Sequence, residues 1–498
     1  MRGALMVCGT GSDVGKSHLV TGLCRVLHRR GVRVAPFKAQ NMALNSWVTP
    51  AGHEIGRAQG VQALAAGAQP EVAMNPILLK PTGERTSQVV VMGRPAGHLD
   101  AAAYHAAKPR LVATVTAALD DLRSRFDVVL LEGAGSPAEI NLLDGDLVNL
   151  RLAARAGVRA VVVGDIDRGG VFAALYGTVT LLPDDLRRLV GGFVVNKFRG
   201  DPALLGDGLA QLEQRSGVPT LGVLPYVHDV GLDAEDSLAL DGRRPAPAPA
   251  TTEGTALDVA AVRFPRISNF TDLDALGVEP AVAVRLVDHP AAVGDPDLVV
   301  LPGTKATVAD LEWLRGRGLD RALDQARRRG SAVLGVCGGY QMLGRVVVDG
   351  VESGRGRVAG LGWLDVATVF GASKVTRQRR GRALGQRLTG YQIHHGRVTR
   401  GAGARPWVQL DDAYGSEAEG AVDPGGRVLG TTLHGLFEED GFRAAFLADV
   451  GRRRGKELPP SGVSFTAARE AQIDRLADLV EAHLDLAAVE TLVKEGAP

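Results

Sequence analysis

The sequence predicts an α/β protein of two domains, each a mostly parallel sheet flanked by helices. Three observations carry that expectation. Short β-branched runs alternate with helical patterns in both halves of the chain. Aromatic residues are only 4% of a composition rich in Gly, Ala and Val, which suits strands buried on both faces. Midway, the Pro/Ala run from Gly242 to Thr252 breaks the alternation with a semi-rigid, extended spacer. A chain of 498 residues is long enough for two to three domains with large cores. The expected division is a first domain over 1–238, a linker over 239–256, a second domain over 257–450, and a helical tail over 451–498 that packs on the second domain.

The elements follow in order. Ala4 to Cys8 reads as a strand, and Lys16 to Arg30 as a helix with Leu19, Val20, Leu23, Val26 and Leu27 on one face and Gly31 at its end. Val32–Pro36, Val128–Leu131, Ala160–Val163, Phe193–Val195 and Leu221–Leu224 are further strands. Their spacing leaves room for right-handed helical crossovers and hence a parallel sheet. After the linker, Leu257–Val262, Val282–Val287, Leu298–Leu301, Ala332–Val336 and Val428–Leu433 read as a second set, and Phe465 to Val493 as amphipathic helix.

Charge and cysteine content narrow the function classes. The formal net charge is +1, so no strong field points to nucleic acid or an anionic membrane. The basic run Arg377 to Arg382 lacks interleaved aromatics and reads as a solvated loop. No apolar stretch reaches transmembrane length, and the short run Met1 to Val7 does not make a signal peptide. The three cysteines, Cys8, Cys24 and Cys337, have neither zinc nor thioredoxin spacing. A cytoplasmic enzyme with small-molecule partners, and neither nucleic acid nor membrane, is expected.

Gly9-Thr10-Gly11-Ser12-Asp13-Val14-Gly15-Lys16-Ser17 follows a strand and opens a helix, the context a phosphate-binding loop requires. Backbone N–H groups from Thr10 to Gly15 would cradle phosphate oxygens, Lys16 would reach the terminal phosphates of ATP, and Ser17 would ligate Mg²⁺. The strand ending in Glu132 supplies a hard oxygen ligand for the same ion, and Asp13 is a second candidate. Asn196, after another strand, is a candidate contact to the nucleotide base. The strand end Gly164-Asp165-Ile166-Asp167-Arg168-Gly169-Gly170 is either part of that site or a structural ion-pair cluster.

Cys337 stands in Gly335-Val336-Cys337-Gly338-Gly339, straight after an apolar strand. A strand entering G-x-C-x-G ahead of a helix is a nucleophile elbow: small neighbours permit the sharp turn, and the helix N-terminus favours a thiolate. Cys8 and Cys24 lie within an apolar strand and a helix and read as inert core. A thiol nucleophile needs a base and donors for an oxyanion. His434 closes the strand Leu429 to Leu433 and is the favoured base, with His394 and His395 as competitors. Gly338, following the nucleophile, offers one oxyanion donor. The turn Pro302-Gly303-Thr304 offers a second, at Gly303 or Thr304.

The second half, over about 258–445, resembles the class I, triad-type glutamine amidotransferase domains. The first half resembles the dethiobiotin-synthetase-like P-loop amidoligases, whose loop reads Gly-Thr-x-x-x-x-Gly-Lys-Ser/Thr. The pairing, in this order, resembles the corrinoid amidases. The segments that carry the likeness include Lys38-Ala39-Gln40-Asn41-Met42-Ala43-Leu44-Asn45-Ser46, Glu54-Ile55-Gly56-Arg57-Ala58-Gln59, Met74-Asn75-Pro76-Ile77-Leu78-Leu79-Lys80-Pro81 and Leu301-Pro302-Gly303-Thr304-Lys305-Ala306-Thr307.

The resemblance implies a P-loop domain followed by a flavodoxin-like amidotransferase domain, with Cys337 as glutaminase nucleophile, His434 as its base and Tyr391 among the glutamine contacts. It also implies an activity: amidation of the b, d, e and g carboxylates of adenosylcobyrinic acid a,c-diamide, with nitrogen from glutamine and activation by ATP. An amidase of an earlier tetrapyrrole, or a P-loop switch ATPase with a degenerate amidase half, are the alternatives. Two positions depart from the pattern. Triad-type glutaminases carry Glu two residues after the base, where this chain has Leu436, and Glu438 is close in sequence. The family's Tyr-Glu-Ile-His-Met-Gly segment is here Tyr391-Gln392-Ile393-His394-His395-Gly396.

Overall fold

The computed structural model describes residues 1–83, 86–227, 233, 256–412 and 415–498. The expected linker, apart from Ala256, lies outside the described residues. The chain forms two compact units. The first joins Met1–Ala43, His53–Gly231 and Arg469–Pro498, and the second joins Leu44–Gly52 and Leu232–Ala468.

In the first unit the apolar runs become strands β1 (Gly3–Gly9), β2 (Val34–Phe37), β3 (Val128–Glu132), β4 (Arg159–Asp165), β5 (Val190–Phe198) and β6 (Thr220–Pro225). They form one sheet in the order β6-β5-β4-β1-β3-β2, every neighbouring pair parallel. β1 is central, so the phosphate loop at its C-terminal end has strand ends on both sides: Glu132 on β3 and Asp165 on β4. Ligand sites in open α/β sheets gather at this edge. Helix α1 (Lys16–Arg29) starts at the loop and buries Leu19, Val20, Leu23, Val26 and Leu27, the face its periodicity gives. A small sheet of Gln40–Met42, Ile77–Pro81, Thr86–Val91 and Arg94–Asp100 stands beside this one in the chain order.

In the second unit, β7 (Leu257–Val262), β8 (Val282–Val287), β9 (Leu298–Leu301), β10 (Ala332–Val336) and β11 (Val428–Thr431) run in the order β8-β7-β9-β10-β11. These five are parallel, and Ala421–Val422 adds an antiparallel edge to β11.

Two expectations are corrected. Arg377 to Arg382 is not a solvated loop: it belongs to the 18-residue strand Val366–Ala383, paired antiparallel with Gln386–Arg400. Its side chains alternate, with Arg379 buried and held by Glu417 at 2.7 Å. Only the first part of the tail, through Ala468, belongs to the second unit. Helices α2 (Phe465–His483) and α3 (Leu486–Glu495) follow the last strands, and from Arg469 onward they belong to the first unit. Ile473, Ala477, Val480, Leu484, Leu492 and Val493 share a core with Leu5, Val7, Leu23 and Leu27. Arg29 of α1 pairs with Asp474 at 2.9 Å and Asp478 at 2.6 Å. The helix period showed that one face is apolar, and α1 supplies both the apolar and the basic surface to receive it.

Candidate active site

Cys337 sits between β10 and the short helix Gly338–Leu343, with φ 50 and ψ −106. A positive φ outside glycine is rare and marks a strained elbow. The turn closes because its neighbours lack side chains. A Cβ on Gly339 would lie 1.9 Å from Leu301 O. The first N–H of this helix, that of Gly338, has no partner inside the helix, and Gly338 packs against Thr304, the residue after Gly303. The two expected oxyanion donors are therefore neighbours. Gly303 is also next to the base: a Cβ there would stand 2.7 Å from His434 Cε1.

His434 is fully buried. Its Nδ1 is 2.7 Å from Asp272 Oδ2, and the Gly435 N–H donates to Asp272 Oδ1 at 2.5 Å. Burial alone would push the imidazole pKa down. The charge and hydrogen bond of Asp272, with a further contribution from the Cys337 thiol, overcome burial and raise it from 6.5 to about 9. Tyr391 stacks on the ring, with centroids 5.3 Å apart and planes 23° apart. The Ile393 carbonyl is 4.0 Å from Cys337 Sγ.

The competing histidines are placed differently. His394 Nδ1 lies 2.7 Å from Gly396 O, and burial pushes its pKa down to about 4. His395 Nδ1 lies 3.1 Å from Gly371 O and is likewise shifted down by burial. Of the three, His434 is the one held by a carboxylate.

At the phosphate loop, Ser17 Oγ donates to Glu132 Oε1 at 2.8 Å. Lys38 Nζ reaches the same oxygen at 2.9 Å, and Gln62 donates to Oε2 at 2.6 Å. Burial would raise the Glu132 pKa, but Lys38 above all, then Gln62 and Ser17, hold it below the ordinary carboxylate range. Lys16 Nζ donates to Gly11 O at 2.7 Å and Gly135 O at 3.2 Å, turned in over the loop.

Two further expected residues lie at the loop. Asn196 lies against the loop, where its amide donates to Val14 O at 2.9 Å. Asp13 is mostly exposed and pairs with Arg168 at 3.2 Å. The 164–170 segment forms ion pairs, with Asp165 held by Lys197 at 2.9 Å and Asp167 by Arg199 at 2.6 Å. Cys8 and Cys24 are buried, and burial raises both thiol pKa values far above the usual range.

Comparison with known proteins decides the family. A CobQ/CobB/MinD/ParA nucleotide binding domain matches residues 5–239, and a CobB/CobQ-like glutamine amidotransferase domain matches residues 258–442. A protein of Nocardia farcinica named cobyric acid synthase is 54% identical, covering 100% of this chain and 98% of its own. The chain belongs to the cobyric acid synthase family. A Rhodococcus jostii protein of the same name is 54% identical over 100% of this chain and 96% of its own. One from Frankia casuarinae is 51% identical over 100% and 98%. As a member of the cobyric acid synthase family the protein is a glutamine-dependent ligase.

Asp272 is the site residue that sequence reasoning missed. The sequence near His434 offers Leu436 and Glu438, whereas the carboxylate comes from 162 residues earlier. One signal was available. Asp272 lies in Ser268-Asn269-Phe270-Thr271-Asp272, a polar run beyond the C-terminal end of strand β7. That is the sheet edge where β9 delivers Gly303, β10 Cys337 and β11 His434.

Proposed function

We propose that this protein amidates the b, d, e and g carboxylates of adenosylcobyrinic acid a,c-diamide, giving adenosylcobyric acid, with ammonia drawn from glutamine and activation by ATP. The observation that carries the reading is the Cys337–His434–Asp272 arrangement in a chain that, end to end, is 54% identical to proteins named cobyric acid synthase.

Glutamine hydrolysis starts with the Cys337 thiolate attacking the amide carbon. The oxyanion takes hydrogen bonds from Gly338 N–H and from the Gly303–Thr304 turn. His434, kept protonated by Asp272, gives its proton to the departing nitrogen and ammonia leaves. Water, deprotonated by the now neutral ring, cleaves the thioester to glutamate and free thiol. Tyr391 fixes the plane of the imidazole.

In the phosphate site, a substrate carboxylate oxygen attacks the γ-phosphorus and ADP leaves. Thr10, Gly11 and Gly15 cradle the phosphates, and Lys16 swings from the loop carbonyls to the transferring group. Ser17 and Glu132 would hold Mg²⁺, which supplies charge neutralisation on the phosphates. One hydroxyl and one carboxylate are hard oxygen donors that suit that ion. Asn196, beside the loop, is the contact to the nucleotide base, and Asp13 is a second candidate ligand for the ion. Ammonia then attacks the acyl phosphate carbon, forming the amide and releasing phosphate. Acyl phosphates hydrolyse, so the step must be kept from bulk water.

The test is mass spectrometry of the protein with MgATP, glutamine and adenosylcobyrinic acid a,c-diamide. Up to four successive amidations that stop when ATP is omitted support the reading. An intact substrate beside active protein rejects it in favour of an earlier tetrapyrrole or a switch ATPase.

A further inference from the structure

Residues Leu44–Gly52 belong to the second unit although sequence places them in the first. Their contacts are specific. The Ser46 N–H donates to Asn269 Oδ1 at 2.8 Å, a residue 223 positions away. The Phe270 N–H returns the contact, donating to Asn45 Oδ1 at 3.3 Å. Asn45, Ser46 and Asn269 are all buried. Asn269 adopts φ 51, a left-handed conformation that Asn tolerates better than most residues. The two Asn side chains thus imitate a strand pairing between segments that make none.

Residues touched by this segment reach the thiol site in turn. Asn269 and Phe270 lead directly into Asp272. The Tyr391 hydroxyl donates to Ser46 O at 3.5 Å, and its ring stacks on His434. Val48 packs with Tyr391 and Ile393, and Gln378 Nε2 donates to Val48 O at 2.9 Å. The turn that carries Asp272 also meets the oxyanion turn, through Ser268 N–H to Gly303 O at 2.8 Å. The segment therefore supports His434 from two sides, through its carboxylate and through its stacking partner.

We propose that residues 45–48 complete the glutamine-hydrolysing site, and that Asn45 and Asn269 are positioning residues acting on His434 through Asp272. This rests on the reading of Cys337, His434 and Asp272 as a glutaminase. It makes the amidotransferase unit discontinuous in sequence, with an essential part supplied from the ATP-binding half of the chain. Burial of a polar network demands that every member be satisfied. Removing the Asn45 acceptor strands the Phe270 N–H and loosens the turn two residues from the carboxylate.

The experiment uses the full chain as wild type, Asn45→Ala, Asn45→Asp, Asp272→Asn and the double variant Asn45→Ala/Asp272→Asn. Asn45→Ala should lower kcat for glutamine hydrolysis by about tenfold with little change in KM. The alkaline limb of its kcat/KM profile should move to lower pH. Ammonia-dependent amidation should stay at the wild-type rate, which shows that the chain is folded. Asn45→Asp, which keeps an acceptor oxygen, should recover most of the loss. In the Asp272→Asn background, Asn45→Ala should add no further loss, because residues acting as one unit are non-additive.

Multiplied losses in the double variant, an unmoved pH profile, or a parallel fall in ammonia-dependent activity would overturn the proposal. If Asn45→Ala does not fold, Asn269→Ala against Asn269→Asp makes the same comparison from the other side of the pair. A wild-type chain that does not hydrolyse glutamine would instead reject the glutaminase reading itself.

Discussion

Replacing Asp272 by Asn tests the thiol site at its least expected member. Asp272 accepts from both His434 Nδ1 and Gly435 N–H. Asn keeps the shape but loses the charge, and can offer an acceptor oxygen to only one of those two groups. The carboxylate is what lifts the His434 pKa from 6.5 to about 9 against its burial. That rise corresponds to about 3 kcal/mol of preference for the protonated ring. Without the charge, burial dominates, and the pKa falls below its ordinary value. At neutral pH the ring is then neutral and has no proton for the departing nitrogen. A loss of about 3 kcal/mol in the transition state is roughly a hundredfold in kcat/KM for glutamine. The assay is glutamate release across pH 5–10, with ammonia-dependent amidation measured alongside. The wild-type profile should hold its activity until His434 loses its proton near pH 9, and the variant should lose this limb. A variant within threefold of wild type, with the same profile, would refute the role of Asp272.

Cys337→Ser should abolish use of glutamine while ammonia still supports amidation, measured as product formed with each nitrogen source. Lys38→Met should cost about 3–5 kcal/mol in urea unfolding, because it leaves the buried Glu132 carboxylate without its cation. The double variant Lys38→Met/Glu132→Gln should recover stability and remain deficient in ATP turnover. Gly303→Ala should lower kcat for glutamine at least tenfold with the ATP half unaffected, since the added carbon meets His434 Cε1 at 2.7 Å and Ser268 O at 2.8 Å. Its glutaminase rate and ATP affinity, measured separately, check this.

What could be read in advance divides along physical lines. The parallel strands were legible because their apolar runs are continuous and β-branched, as Val128 to Leu131 shows. The phosphate loop and the elbow were legible because each compresses its chemistry into consecutive residues. The long pair Val366–Ala383 and Gln386–Arg400 was not: it is half exposed and rich in Arg and Gly, so alternation alone marks it. Asp272 and Asn45 escaped for another reason. Their roles come from contacts made 162 and 225 residues away in sequence, and the position of Asp272 beyond a strand end does not say which side chain it meets. For Asn196, position beside the loop was legible, but the bond of its amide to Val14 O is one that spacing does not encode.

The tail's partnership with the first unit bears on how the protein is made. Ile473, Ala477, Val480 and Leu492 wall one side of a core whose other members include Leu5, Val7 and Leu23. Strand β1 leaves the ribosome well before this wall does. At about 5–20 residues per second, roughly ten to fifty seconds separate the emergence of the rest of the first unit from that of its final helices. During that time its apolar surface has no native cover and is open to chaperones. A prematurely terminated chain would keep that surface exposed permanently, so incomplete products would reveal themselves to quality control by stickiness rather than by lost activity.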